Sequence, residues 1–379
     1  MIVELVLERV AHGGIVVGHS GGKVVFVTGG LPGERVRVEI TQEGRRFDRA
    51  EVVEVLEAAA GRVDPPCPVA ASCGGCDWQF ADQATQLSLK TAVVAEQLQR
   101  LAGVEWTGSV EAVPGGLTGW RTRMRLAIDD HGRPGFRGRR SHEVVPLPES
   151  GCLVAASLPA AQISELGLPG SEVIVAIGGN GVAISGSRGA TGPDPVIERV
   201  AARAFQVSST GFWQAHAMAP EVLTAAVLDA LRPEPGELAL DLYCGVGLFA
   251  GALVDAGCEV IGVEASRTAT AAARRNVPEA RFIGQSLERA GDTLPEKVDL
   301  VVLDPPRKGA GAAVVAAIAQ RRPRAIAYVA CDPAALGRDL ATFAAEGYRA
   351  EQVRGFDLFP MTHHVECVAL LVESGSDLP

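Results

Sequence analysis

The chain has no uncharged apolar run of the ~18 residues that a membrane-spanning helix needs. Its start, Met1-Ile-Val-Glu4, alternates apolar and charged residues and lacks the basic stretch and apolar core of a secretion signal, so a cytoplasmic location is expected. An excess of positive charge is also missing: the formal net charge is −10, which argues against a body coated in nucleic acid. A disulfide framework is not expected either, because eight cysteines in a large cytoplasmic chain have other uses. What is present is a 47% apolar sequence of 379 residues, enough for two or three well-filled domains. Nothing in it points to an obligate protein partner.

The stretch Ile326-Ala-Tyr-Val-Ala-Cys331-Asp332-Pro333 reads as a buried strand stopped by a turn-forming Asp-Pro pair. It would deliver a thiol to its own C-terminal end, the edge at which open parallel sheets bind ligands. A second strand-like run, His364–Leu371, carries Glu366 near its start. A thiol and a carboxylate at one sheet edge can serve as nucleophile and general base. Taken alone, Cys331 is a weak signal, since a cysteine on an apolar strand is more often inert core, packing as a small hydrophobe.

Residues 1–57 show five short alternating runs separated by glycines: Ile2–Val10, Gly14–Gly18, Lys23–Val27, Glu34–Ile40 and Ala50–Leu56. This spacing predicts a small OB-like β-barrel. The run Gly13-Gly-Ile-Val-Val-Gly18, then Lys23-Val-Val-Phe-Val27, then Leu31-Pro32-Gly33-Glu34 resembles a TRAM domain, an RNA-binding barrel attached to RNA-modifying enzymes. Two arginine-rich segments, around Arg35–Arg49 and Arg121–Arg140, are either phosphate-binding faces or solvated strand faces.

Cys67, Cys73 and Cys76 then crowd a Pro- and Gly-rich loop, with Cys152 available downstream as a fourth ligand. Four thiolates suit zinc or an iron–sulfur cluster, and spacing does not separate the two. The Cys-x3-Cys-x2-Cys spacing of radical enzymes is absent. Gln83–Leu101 is predicted as a helix with Leu87, Val94, Leu98 and Leu101 on one face. Residues 60–195 otherwise read as a β-rich central domain, and Thr191–Pro195 as its boundary with a third domain, 196–379.

In that third domain helices alternate with buried strands, the pattern of a doubly wound parallel sheet of Rossmann type. Leu238-Ala-Leu-Asp241-Leu-Tyr243-Cys244-Gly245-Val-Gly247 is a strand followed by a glycine turn, and the next strand, Glu259–Val263, ends on Glu264, placed to hold ribose hydroxyls. Gly-x-Gly alone is weak evidence, and Ala250 is compatible with a dinucleotide fingerprint. Asp241 at the strand end resembles the first motif of S-adenosylmethionine-dependent methyltransferases instead. Asp304, in Leu303-Asp304-Pro305-Pro306-Arg307, would stand at the same edge.

Taken in order, the barrel, the four-cysteine loop, Tyr243-Cys-Gly-x-Gly, Asp304-Pro-Pro-Arg307, Cys331-Asp-Pro and Phe359-Pro-x-Thr-x-His-Val-Glu366 resemble the RNA uracil-C5 methyltransferases. The resemblance implies that Cys331 adds to uracil C6 and that Glu366 removes the C5 proton. It implies S-adenosyl-L-methionine contacts from Gln214, Tyr243, Glu264, Asp304 and Ser286. It also implies a 4Fe-4S cluster on Cys67, Cys73, Cys76 and Cys152, as in the ribosomal-RNA-type members, where Cys-Gly-Gly-Cys is followed by a Gln such as Gln79. The expected product is 5-methyluridine in 23S ribosomal RNA, with transfer RNA as the alternative substrate and a non-catalytic RNA-binding protein as the alternative class. Two positions depart from the family pattern: His216, where Asn is frequent, and Leu248, where a polar residue is frequent.

Overall fold

The structure, a computed structural model, describes residues 1–375. Strands Ile2–Ala11, Ile15–Ser20, Lys23–Thr28, Arg35–Gln42 and Phe47–Glu57 close into a barrel. Alternation turns Leu5, Leu7, Val16, Val25, Val27, Val36 and Val38 inward, and parallel pairing of the third and fifth strands completes the closure. The hairpin turn at Gly21-Gly22 needs positive φ at both positions (58° and 78°), which glycine adopts without steric cost.

The helix Gln83–Ala102 begins where the Asp82 carboxylate accepts from Thr85 N (2.7 Å) and ends at Gly103 in the left-handed region. Its buried face, including Val94 and Leu98, shares one core with Leu336 and Leu340 of the helix Pro333–Ala345. Gly337 permits this approach, because a Cβ there would lie 3.1 Å from Gln97 O. Lys90, fully buried, pairs with Asp357 and donates to Phe359 O (3.0 Å), tying the helix to the strand Tyr348–Asp357.

The middle of the chain forms a six-stranded antiparallel sheet, in the order Gly189–Thr191, Gly181–Gly186, Glu172–Gly178, Arg123–Ile128, Pro134–Arg137, Val144–Pro146. A separate hairpin, Val196–Val200 with Arg203–Val207, follows it. The largest sheet has eight strands, in the order Arg281–Ile283, Glu259–Val263, Leu238–Leu242, Leu300–Leu303, Ala325–Ala330, Glu366–Glu373, Tyr348–Asp357, Val110–Ala112. The first five run parallel, and Glu366–Glu373 runs antiparallel to both its neighbours. Val110–Ala112 comes from the middle of the chain and extends the far edge of this sheet. Leu300–Leu303 and Ala325–Ala330 are buried at every position, as expected of central strands covered on both faces. Strand order reverses between Leu238–Leu242 and Leu300–Leu303, and the crevice above such a switch point is where open α/β sheets bind ligands. Among the described residues, no helix is long and apolar enough to cross a membrane.

Candidate active site

Tyr243, Glu264, Ser286, Asp304 and Cys331 each follow the C-terminal end of a parallel strand, and Glu366 opens the antiparallel strand at the same edge. Asp241, the last but one residue of its strand, is fully buried, and its Oδ2 accepts from Ala250 N (2.8 Å). Burial drives its pKa up, so this carboxyl ties the glycine turn to the following helix. Tyr243 and Gly245 both adopt positive φ (62° and 53°), and a Cβ on Gly245 would meet nothing within 4 Å, which leaves open space above the turn. Glu264 is half-buried; one oxygen accepts from Gly245 N (3.1 Å) and the other from Ser266 N (2.6 Å). Gln214, in the loop before the helix Ala219–Leu231, donates to Asp304 Oδ2 (3.4 Å). Burial lifts the Asp304 pKa to about 7, against the lowering effect of that hydrogen bond. Ser286 lies furthest out, beyond Arg281–Ile283 and just before Glu288, whose charge helps to raise the Tyr243 hydroxyl.

The antiparallel register ends with Val329 paired to Val368 and Ala330 to Cys367, so Cys331 and Glu366 are the next residues of their two segments at the same end of the sheet. The electrostatics agree with this placement. Burial pushes the Cys331 thiol up to about 12, the Glu366 charge is its next cause, then Asp304, while Arg307 opposes them. Glu366 is 3% exposed, and its pKa is raised well above the usual range by burial and by Asp304, again opposed by Arg307. Both shifts favour the protonated forms. Cys367, pointing to the opposite face, is fully buried in an apolar core.

A cleft of about 420 Å³ is walled in part by Trp120, Arg121, Phe359, His363, His364 and Arg307, the last of which acts electrostatically on both Cys331 and Glu366. Burial lowers the His364 pKa to about 3, with further lowering from His363 and Arg307, so the ring is neutral. His216 is buried as well, stacked on Trp120 (5.5 Å between centroids), and accepts from Met218 N (3.0 Å). Its departure from the family pattern therefore falls on an internal packing position. Leu248 opens the helix Leu248–Asp255 and packs into the core, which accounts for an apolar residue there. Many arginines of the basic segments are neutralised within the protein: Arg123 pairs with Glu198, Arg125 and Arg137 with Glu172, Arg35 with Glu4 and Glu57, and Arg37 with Glu54. The sequence carries no signal for Trp120, whose buried indole N–H has no acceptor among the described residues.

Cys67, Cys73, Cys76 and Cys152 line a single cavity. Burial pushes Cys76 up to about 12 and also raises Cys73, and each feels the charge of Cys152. Arg121, half-buried beside them, is lowered by desolvation and held up by Cys152, Cys76 and Cys73. Among the described residues, no three His, Cys, Asp or Glu side chains converge as a single metal ion would require.

Three family models match the chain: a TRAM domain over residues 2–53, a methyltransferase domain over 240–304 and a tRNA (uracil-5-)-methyltransferase over 294–374. The chain is 43% identical to an RNA methyltransferase of Streptomyces avermitilis, over 99% of each chain. It is 32% identical to a 23S rRNA (uracil(1939)-C(5))-methyltransferase of Shewanella, over 96% of this chain and 94% of the relative. Its fold matches that of the Pyrococcus abyssi tRNA (uracil-54, C5)-methyltransferase in complex with S-adenosyl-L-homocysteine, with a TM-score of 0.75 and 23% identity over 97% of this chain and 99% of that one. A strand edge that carries Cys331, Glu366 and a switch-point crevice, reached by relatives of matching length, leads to one conclusion: the chain belongs to the S-adenosylmethionine-dependent RNA uracil-C5 methyltransferases.

Proposed function

We propose that this enzyme forms 5-methyluridine in 23S ribosomal RNA, with Cys331 as nucleophile and Glu366 as general base. The observation that supports the roles is the register that brings the ends of two paired strands, one followed by Cys331 and one opened by Glu366, to one sheet edge, where the Glu366 charge acts on the Cys331 thiol. Uracil C5 is a poor nucleophile. Addition of the Cys331 sulfur to C6 makes C5 enolate-like, so that it can take a methyl group. Glu366 then removes the C5 proton, and the C6–S bond breaks to restore the ring and the thiolate. The base must leave its stack to reach a half-buried thiol. Arg307 opposes the raised pKa of both groups and so favours their ionised forms.

S-adenosylmethionine supplies, when bound, a sulfonium methyl group together with a positive charge that favours the Glu366 carboxylate. Glu264 and Tyr243 lie at the open glycine turn, where they would hold its nucleoside, and Gln214 and Asp304 would hold the end nearer Cys331. Ser286 would border the site from the outer strand. The ribosomal substrate rests on the Shewanella relative, whose name states a 23S rRNA uracil.

The four cysteines suit a 4Fe-4S cluster. Their thiols share one cavity with the cation Arg121 yet do not converge on a single-ion centre, where sulfurs ~2.3 Å from one zinc would crowd together. A cluster is wider, takes one thiolate per iron and carries net negative charge that Arg121 can offset. Protein purified without oxygen should be brown and hold about four irons per chain; colourless protein with stoichiometric zinc overturns the cluster. For the substrate, 5-methyluridine should disappear from 23S rRNA in cells lacking the protein and return with the wild-type chain but not with Cys331→Ala. Loss from transfer RNA alone would reassign the substrate.

A further inference from the structure

The cysteine loop and the turn leading to Glu366 are joined by hydrogen bonds that neither the family match nor the proposed chemistry requires. Asp77 directly follows Cys76. Its backbone N–H and that of Trp78 both donate to Met361 O (2.9 Å each). Its carboxylate Oδ2 accepts from His363 Nδ1–H (2.6 Å) and from the His363 backbone N–H (3.3 Å). Met361 itself holds a positive φ of 68°, a costly conformation for a side-chain-bearing residue unless its surroundings impose it. Those surroundings include Gln86, which accepts from Met361 N (2.8 Å), and a small core in which Met361 packs with Cys76 and Trp120, with Cys152 against it. His363 lies tilted against His364 (4.1 Å between centroids), and His364 meets Phe359 edge-on (5.8 Å), so the wall of the cleft hangs on the same contact. Glu366 is the first residue of its strand, and the turn fixes the chain immediately before it.

We propose that Asp77 is a positioning residue: through His363 it locks the Phe359–His364 turn, so that the state of the four-cysteine loop sets the aim of Glu366 and of the cleft wall. The catalytic half of this statement rests on Glu366 being the base. The mechanical half does not. A displacement of about 1 Å in a reacting group can cost on the order of 10²-fold in rate. Ordering of the turn is a local free energy, readable by hydrogen exchange.

The test uses the full chain. Asp77→Ala should lower kcat on the order of 10²-fold while S-adenosylmethionine affinity stays within about twofold of wild type, and the covalent RNA adduct should accumulate because proton removal is the step slowed. Asp77→Asn keeps an oxygen that can accept from His363 and should restore most of the rate. In Cys73→Ser, which disables the four-cysteine site, amides of residues 359–364 should exchange at least about tenfold faster, with those of Leu300–Leu303 unchanged. Unaltered exchange in 359–364 would overturn the mechanical link, and an Asp77→Ala enzyme whose only defect is a higher KM for RNA would make Asp77 an RNA contact instead. If Glu366→Gln keeps its activity, the base assignment fails, and the exchange result still decides the link.

Discussion

The molecule holds two thiol sites of opposite design. At the sheet edge, Cys331 feels the charges of Glu366 and Asp304, with Arg307 as the cation opposing their effect. In the loop site, four cysteines share a cavity with the half-buried Arg121. The first arrangement keeps a thiol protonated until substrate and methyl donor arrive, which suits a nucleophile used once per turnover. The second gathers thiols beside positive charge, which suits permanent ligands. Cys367 makes the contrast sharper: it neighbours Cys331 across the strands but points into apolar core, without access to either chemistry. Role follows from company and face, not from residue type.

The largest effects should come from the sheet-edge site. Cys331→Ala should abolish methylation while leaving S-adenosylmethionine binding intact, whereas Cys367→Ala should keep turnover and lose only stability; persistent methylation in the first would end the covalent route. Glu366→Gln should reduce turnover by on the order of 10²–10⁴-fold, and rapid-quench measurements with a uridine-containing RNA fragment would show whether the slow step follows adduct formation.

Replacing Lys90 with Met should cost about 3–5 kcal/mol, because Asp357 would remain as an uncompensated buried charge. Urea unfolding measures that loss, and a cost below 1 kcal/mol would mean that the helix Gln83–Ala102 is held by its apolar face alone.

A smaller effect concerns pH. The folded pKa of Glu366 lies above its unfolded value, so the folded state retains a proton that the unfolded state releases. Wild-type stability should therefore fall as pH rises above about 4.3, up to the folded pKa. Glu366→Gln removes this penalty, and its stability advantage over wild type should grow as pH rises above the unfolded value. An advantage that shrinks with pH would mean that the carboxylate is stabilised in the resting protein.

Much of the sheet was legible because its signals are local. Continuous apolar runs announced Leu300–Leu303 and Ala325–Ala330, and glycine spacing announced the barrel. The edge residues Tyr243, Glu264, Asp304 and Cys331 could be read because each closes a strand whose direction the alternating pattern implies. Contacts between distant segments left no such trace. Val110–Ala112 is too short to show a period, yet it completes the sheet's far edge. The Asp77–His363 pair joins residues far apart in sequence, and an Asp after a cysteine carries no mark of its partner. The arginine segments show a related limit. Glu172 and Glu198, which pair with Arg123, Arg125 and Arg137, lie on other strands, so the sequence could not show which part of the basic run is paired in space.

The most direct test of the shared pocket is peptide mapping of the RNA adduct trapped by Glu366→Gln with S-adenosylmethionine and a uridine substrate. The account predicts a denaturant-stable species in which a uracil already methylated at C5 is bonded through C6 to the peptide bearing Cys331. An adduct through any other cysteine, or none at all from an enzyme that still methylates, would contradict it.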